Sequence, residues 1–433
     1  MLRTSVAVAA GKAARAATRL RGGGSALPGL VVERIDPQFL SHALRGLPGG
    51  IVVVTGTNGK TTTTKMLTAV LRAHGLRVFS NPTGSNFTRG VISSMLSEVP
   101  LSGRLDADVA VLELDEAHAL RFADAIAPTH ALLLNVARDQ LDRFAEIDHT
   151  ADLLARLGER TTTAVVLNID DTFVSRAAER LPAGLKVSYF GVHASIADRL
   201  PELQEADVRF EGDFTPPAPT ADDGLLQPHD DRRFEVRFGD EVLGPLELQQ
   251  RGLAAMINAT AAASMARGLL RERFDPVRAA AALAAVRPPF GRGEVIDAGG
   301  QPLELVLVKN PAGFTVALST YGGSPVATMI AINDDYADGR DVSWLYDVSF
   351  ESLRERGVAV TSGVRAFDMA LRLRYDDVAV TEVIPDLDRA LGSFLAGHAG
   401  EPTRVFCTYT AMMALRRGLA RRFALAAIGE ESA

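Results

Sequence analysis

Cysteine is nearly missing from this 433-residue sequence, which contains only Cys407. A lone cysteine excludes an internal disulfide and a cysteine-built metal cluster, and it fits a reducing compartment. Long apolar runs are missing too. None approaches the roughly 20 residues that a membrane-spanning helix needs. Positive charge is not in excess either: the formal net charge of −7 excludes a general nucleic-acid binder. There is no internal repeat. What is present is ordinary for a soluble globular protein, 47% hydrophobic and 23% charged residues. The length suggests two or three domains with a core that needs no staples. The bulk expectation is a cytoplasmic, multidomain protein.

Residues 1–24 differ from the rest. They carry Arg3, Lys12, Arg15, Arg19 and Arg21, and no acid precedes Glu33. The pattern predicts a basic amphipathic helix, and its charges interrupt any secretory apolar core. Three readings stay open: a solvated helix leading into the fold, an organelle transit peptide of similar composition, or a helix grazing an anionic membrane. In the last case each basic residue adds about 1 kcal/mol.

After Gly49 short apolar strands alternate with helical stretches: Ile51–Val54, Val109–Leu114, His130–Asn135 and Ala164–Asn168. Met66, Leu67, Val70 and Leu71 share one helix face, closed by Gly75. This predicts an α/β fold with a mainly parallel sheet covered on both faces. Residues 201–233, with five prolines among many acids, read as a surface insertion. Helical pattern resumes over 254–283, and 287–294 reads as a hinge. A second α/β run follows at 303–308, 326–332, 358–361 and 378–380. The expected domains are a basic helical segment (1–49), a nucleotide-binding domain (50–293) and a C-terminal Rossmann-like α/β domain (294–433).

The string Thr55-Gly56-Thr57-Asn58-Gly59-Lys60-Thr61-Thr62 lies between a buried strand and a helix. Glycines let backbone N–H groups curl around phosphate oxygens, and the helix N-terminus adds a favourable dipole. Lys60 can reach terminal phosphates, and the Thr61 hydroxyl can ligate Mg²⁺. The common phosphate loop has glycine where this chain has Val54, so the motif is a shortened variant. A chance Gly-Lys-Thr is the bland alternative, and the strand–helix placement argues against it. Glu113 ends a parallel strand, where carboxylates face a ligand crevice. It is the candidate for a second Mg²⁺ contact, with Asp115 and Glu116 as ordinary acids at a helix start.

The segment Gly56–Thr63 resembles the ATP loop of the Mur ligase superfamily, which includes folylpolyglutamate synthetases. Asn135-Val-Ala-Arg-Asp-Gln140-Leu-Asp-Arg143 and Asn168-Ile-Asp170-Asp171 resemble further segments of that family. The resemblance implies a Mur-ligase-like P-loop domain binding ATP and Mg²⁺ through Gly56, Thr57, Asn58, Gly59, Lys60, Thr61 and Thr62, with Thr61 and Glu113 on the metal. It implies that Asn258 contacts adenine and that Arg292 and Lys309 meet phosphate. Departures narrow the reading. Gln140 replaces a metal-site histidine, Leu154 falls where a lysine is expected, and only 54 residues precede Thr55.

Asn333-Asp-Asp-Tyr-Ala-Asp338-Gly339-Arg340-Asp341-Val-Ser343-Trp344, with Lys309-Asn310-Pro311-Ala312-Gly313, resembles the MurT family, Mur-ligase-like subunits of lipid II isoglutaminyl synthase. That implies amidation of the D-glutamate α-carboxyl of the lipid II stem peptide to D-isoglutamine, through an acyl phosphate. Ammonia would come from a glutaminase subunit (GatD-like) in a heterodimer, with Asp341 completing that partner's active site. The four-cysteine zinc ribbon of some relatives has no counterpart here, so zinc is not expected, and 201–233 takes its place. Implied localisation is cytoplasmic, at the inner face of the membrane where lipid II lies. Two alternatives remain: a folylpolyglutamate-type ligase, which would lack the 333–347 string, and a nucleotide-binding scaffold without catalysis.

Overall fold

Short β-branched runs alternate with amphipathic segments throughout the chain, and they assemble into two sheets joined near residue 290. The structure, a computed structural model, describes residues 2–20, 26–81, 87–137, 147–195, 214–289, 291–322, 326–423 and 425. Three helices come first: α1 (Leu2–Leu20), α2 (Ala26–Ile35) and α3 (Phe39–Leu44). The first sheet holds β1 (Ile51–Thr55), β2 (Val78–Ser80), β3 (Val109–Glu113), β4 (His130–Leu133), β5 (Ala164–Asn168), β6 (Lys186–Val192), β7 (Gly224–Pro228), β8 (Arg233–Phe238) and β9 (Glu241–Glu247). Between its strands run α4 (Lys60–Ala73), α5 (Thr88–Met95), α6 (Glu116–Ala125), α7 (Ile147–Glu159) and α8 (Thr172–Arg176), and α9 (Leu253–Leu270) and α10 (Pro276–Ala284) follow it. Strand order is β2-β3-β1-β4-β5-β6-β7-β8-β9, parallel as far as β7 and antiparallel beyond.

The second sheet contains β10 (Arg292–Asp297), β11 (Pro302–Leu307), β12 (Ala327–Ala331), β13 (Val358–Ser362), β14 (Val380–Ile384) and β15 (Thr403–Cys407). Its helices are α11 (Pro311–Tyr321), α12 (Ala366–Tyr375), α13 (Leu387–Gly397) and α14 (Tyr409–Ala420). The order is β10-β11-β15-β12-β13-β14, with only the β10–β11 edge antiparallel.

Both sheets are covered on both faces, which is why β1, β3, β12 and β15 are buried along their whole length and mostly apolar, with the buried Arg404 of β15 paired to Glu304. One core of the first sheet packs Val52, Val54 and Val111 against Met66, Leu67 and Val70 of α4 and the alanines of α9. The opposite face buries Val53, Leu112 and Leu133 under α1 to α3 and α5 to α7. Residues 2–20 of the N-terminal basic segment are thus helical and docked: Thr4, Ala7 and Val8 are buried, while Leu2 and Val6 stay exposed.

Four expectations need correction. Residues 224–233 are not all excursion, because Leu225 and Leu226 carry β7 into the sheet beside β6. The acids and prolines around this pair mask a strand whose Leu226 is fully buried. Residues 201–213 lie outside the described part. The helix expected over 254–283 is broken before Pro276, whose missing N–H and fixed φ begin a new helix capped by Asp275. Helix α9 is long and apolar enough, by composition, to cross a membrane. It packs instead between α4 and the first sheet, with most of its alanines buried. Leu154 is a core residue of α7, 1% exposed, and does not face the crevice described below; Gln140 lies outside the described residues.

Candidate functional site

The strand–turn–helix from β1 to α4 makes two backbone demands that only glycine meets cheaply. Gly56 has φ +134 and Gly59 φ +87. A Cβ on Gly56 would lie 2.9 Å from the Asn135 nitrogen, and one on Gly59 would lie 2.3 Å from Asn258 Oδ1. The loop is therefore a cradle closed by backbone and by the α9 asparagine. Asn135 fixes its shape from the end of β4: its Oδ1 accepts from Asn58 N at 2.8 Å and its Nδ2 donates to Asn58 O at 2.9 Å. Thr57 N donates to Asn135 O, and the Thr57 hydroxyl bridges both backbone groups of Ala137. Thr62 and Gly59 line the crevice wall.

Lys60 is buried and folds back to donate to Gly56 O at 2.6 Å, with Glu116 Oε1 3.4 Å away. The Thr61 hydroxyl donates to Glu113 Oε1 at 2.8 Å. Asn81 holds the backbone of Glu113 through paired bonds of 2.9 Å. Two hard oxygen donors, one of them a carboxylate, are what Mg²⁺ takes from protein when phosphates and water fill its other positions. The donor set fits that ion, and the glycine cradle with Lys60 fits a nucleotide's terminal phosphates.

The acids beside the loop split their protonation. Burial pushes the Glu116 carboxyl up, against the pull of Lys60 and with the push of Asp115. Burial also works to raise Asp115. Lys60, the hydrogen bond to Glu116, Lys309 and His118 outweigh it and hold Asp115 below the usual carboxylate range. Glu116 is a site residue that the sequence left as an ordinary helix-start acid. Its spacing from Glu113 carried no signal, because the Lys60 contact arises only when β3 packs beside β1.

The second sheet closes the crevice. Asn310 Nδ2 donates to Asn58 Oδ1 at 3.2 Å, while Asn310 Oδ1 caps α11 by accepting from Gly313 N. Lys309, Gly313 and Arg292 line the same cavity as Asn58, Gly59 and Asn258. Glu294 pairs with Arg416 of α14 and so ties the start of β10, two residues after Arg292, to that helix. The α11 N-terminus and the phosphate loop thus face each other across one crevice.

Residues 333–347 lie at the carboxyl ends of β12 and β15. Asn333 N donates to the Thr408 hydroxyl, and Asn333 Oδ1 accepts from Val364 N. Asp338 is buried; its Oδ1 accepts from Thr410 N at 2.7 Å, and its Oδ2 accepts from Asp335 N at 3.2 Å and from the Thr410 hydroxyl. Asp341, three residues on, is exposed and accepts from Ser343 N at 2.9 Å; bonds from Ser343 hold its carboxyl below the usual range. It does not line the crevice. Cys407 is buried in β15, and burial, then Asp338, pushes its thiol up, which suits a core residue and no nucleophile. His74 is structural: it stacks on Phe274, and its two ring nitrogens bond Val70 O and Asp275 N.

Comparison with known proteins adds two family matches: the Mur ligase middle domain over residues 54–266 and the MurT ligase C-terminal domain over residues 307–412. The chain is 30% identical to the lipid II isoglutaminyl synthase (glutamine-hydrolyzing) subunit MurT of Streptococcus pneumoniae, over 97% of this chain and 98% of that one. It is 27% identical to the subunit of the same name from Staphylococcus aureus strain COL, over 88% and 90%. In fold it is similar to MurF ligase from Thermotoga maritima in complex with ADP, with TM-score 0.64 and 16% identity, covering 92% of this chain and 85% of that one.

Proposed function

Since the chain belongs to the MurT family of Mur-ligase-like subunits, we propose that it is the ATP-consuming subunit of a lipid II amidating ligase in peptidoglycan synthesis. The substrate carboxylate is the D-glutamate α-carboxyl of the stem peptide, and the product is the D-isoglutamine amide. The observation that carries this reading is an intact phosphate cradle with its Thr61–Glu113 pair, in a chain that matches a relative of that name over nearly its whole length.

In the proposed reaction a carboxylate oxygen bonds to the γ-phosphorus of ATP as the bridge to the β-phosphate breaks and ADP leaves. Ammonia then bonds to the acyl carbon, inorganic phosphate departs, and the nitrogen gives up a proton. Loop amides from Gly59 to Thr62 and the Lys60 ammonium hold the β- and γ-phosphates. Lys60 must leave the Gly56 carbonyl to do so, and Glu116 keeps it beside the loop meanwhile. Arg292 and Lys309 approach from the second sheet and offset charge on the transferred group. Magnesium held by Thr61 and Glu113 would neutralise charge between the two terminal phosphates. Asn258 stands over Gly59 and fixes the loop wall.

The partner is a glutaminase that supplies ammonia, in a heterodimer. Two features support this: relatives are named as subunits, and the described residues of this chain offer no activated thiol. Exposed Asp341 is the group this chain presents to that partner's active site. The protein works at the inner face of the membrane, with the exposed Leu2 and Val6 of α1 toward lipid. Cosedimentation with anionic vesicles should weaken in a Leu2→Ser, Val6→Ser variant, and unchanged binding would remove that contact. The function itself is tested by phosphate release. It should require lipid II and ammonium together, whereas release driven by a folate and glutamate would favour a folylpolyglutamate-type ligase, and none at all a scaffold.

A further inference from the structure

The outer face of α1 is apolar where a surface helix is normally charged. Its inner face buries Thr4, Ala7, Val8 and Gly11, while Leu2, Val6, Ala9, Ala13 and Ala16 stay exposed. Spacings of three and four residues put these exposed side chains on one line along the helix. Arg3 and Lys12 flank the line on either side, and no acid precedes Glu33.

A second apolar group stands beside this line. The chain turns between Pro100 and Gly103, where Gly103 N donates to Pro100 O at 2.9 Å, and Leu101 at the tip is 56% exposed. The turn touches the start of α1: a Cβ on Gly103, whose φ is +74, would lie 2.5 Å from the Thr4 methyl and 3.7 Å from a Val8 methyl. Arg104, next along, is exposed as well. The acids nearby are engaged: Asp36 is buried and accepts from the Thr4 hydroxyl, Glu33 pairs with Arg89, Asp106 and Asp108 pair with Arg77, and Glu98 is drawn by Arg72. In a chain of net charge −7, this patch is locally basic around an apolar centre. That combination matches an anionic lipid surface.

Both features sit at one end of the first sheet. The turn leads into the first residue of β3, and Asp108 O accepts from Gly49 N just before β1, so Leu101 lies at the amino ends of these parallel strands. The phosphate loop and Glu113 stand at their carboxyl ends. The 5 residues of β3, at about 3.3 Å each, separate the two ends by roughly 16 Å. An amphipathic surface helix sinks its apolar side only about 5–10 Å into a bilayer. Lipid that reaches Leu101 therefore stops short of the crevice.

We propose that α1 and Leu101 form one docking face for an anionic phospholipid bilayer, which holds the amino ends of the first sheet against lipid and turns the crevice away from it. The inference rests on the membrane contact given above and adds a second anchor and an orientation. That orientation suits a carboxylate carried on a peptide that sugar and diphosphate hold off the lipid.

The test attaches a dye that brightens in apolar surroundings to an introduced cysteine of the full chain; the native Cys407 is buried and stays unlabelled. Leu101→Cys reports the proposed face. Ala194→Cys, exposed just beyond the carboxyl end of β6, reports the crevice end. Each is mixed with vesicles of phosphatidylcholine, and of phosphatidylcholine with an equal part of phosphatidylglycerol. The dye at 101 should brighten with the anionic vesicles and not with the neutral ones, while the dye at 194 stays unchanged. In cosedimentation, Leu101→Ser should weaken anionic-vesicle binding about tenfold, and Arg104→Glu about fivefold or more. Both side chains are exposed, so both variants should melt like wild type. Vesicle binding with no response at 101, brightening at 194 instead, or wild-type affinity in both variants would overturn the docking face and leave the α1 contact standing. No binding to anionic vesicles by the wild type would overturn it together with that contact.

Discussion

Asp338 is the pin that holds the 333–341 loop against α14, and its removal separates two functions that share this chain. Its buried carboxylate accepts from Thr410 N at 2.7 Å, from the Thr410 hydroxyl, and from Asp335 N at 3.2 Å. Hydrogen bonds to a charged acceptor contribute about 1.5–3 kcal/mol each, and they are not fully additive within one cluster. Asp338→Ala should therefore destabilise the chain by about 3–5 kcal/mol, part of it as a local release of the loop. Asp338→Asn keeps one acceptor for Thr410 N and should cost about 1–2 kcal/mol. Asp341 rides on this loop outside the crevice, so releasing the loop misplaces Asp341 and leaves the phosphate cradle intact.

The assay is amide formation on lipid II, with ammonium or with glutamine plus the glutaminase as nitrogen source, at a temperature where each variant stays folded. Asp338→Ala should lower the glutamine-driven rate by about tenfold or more, since each 1.4 kcal/mol of lost loop preference is a factor of ten. The ammonium-driven rate should hold within about threefold of wild type. Asp338→Asn should fall between. Equal loss with both nitrogen sources would refute the separation and move Asp338 into the ligase site itself.

Three further outcomes follow from the geometry. Thr61→Val removes the hydroxyl that donates to Glu113, so magnesium-dependent ATP affinity should fall about tenfold while metal-free ADP binding stays unchanged; calorimetry with and without Mg²⁺ would show whether both fall together instead. Gly59→Ala forces a side chain onto φ +87 and a Cβ to 2.3 Å from Asn258 Oδ1. Left-handed strain and overpacking should together cost about 2–5 kcal/mol in urea unfolding, and Asn258→Ala should recover about 1–3 kcal/mol of it in the double variant. Simple additivity would disprove the contact.

Asp171 is buried and accepts from Val136 N and Val174 N, and burial, opposed by those bonds, raises its carboxyl from 3.8 to about 6. A raised folded-state value means the folded form holds the proton more tightly. Stability relative to Asp171→Asn should therefore be greatest below about pH 4 and fall by about 3 kcal/mol as pH rises through 6. A flat difference across that range would show that the carboxyl is not raised.

Local signals carried the phosphate loop. Ile51–Thr55 is a continuous β-branched run, Gly56 and Gly59 sit where backbone must turn, and α4 follows at once, so strand, cradle and helix could be read from a dozen residues. Glu113 was legible for the same reason, since it ends an apolar strand. Contacts between distant segments were not. Glu116 gains its partner Lys60 only through the β1–β3 pairing, and Asn135 shapes the loop from 77 positions away. β7 hides among acids and prolines because Leu225 and Leu226 are its only large apolar pair. Leu154 shows the limit of counting along a motif: helix periodicity turns it into the core. Asp338 and Asp341 look equivalent in sequence, yet one is buried as an acceptor and the other exposed, a difference set by Thr410 across the sheet.

The most direct test of the account is mass spectrometry of lipid II after incubation with the full chain, ATP, Mg²⁺ and isotope-labelled ammonium, beside the same reaction with Lys60→Ala. The account predicts a stem-peptide amide carrying the label in the wild-type reaction, with one ADP formed per amide, and neither product above background in the variant. Labelled amide formed equally well by Lys60→Ala, or ATP bound by wild type with no amide on lipid II, would contradict it.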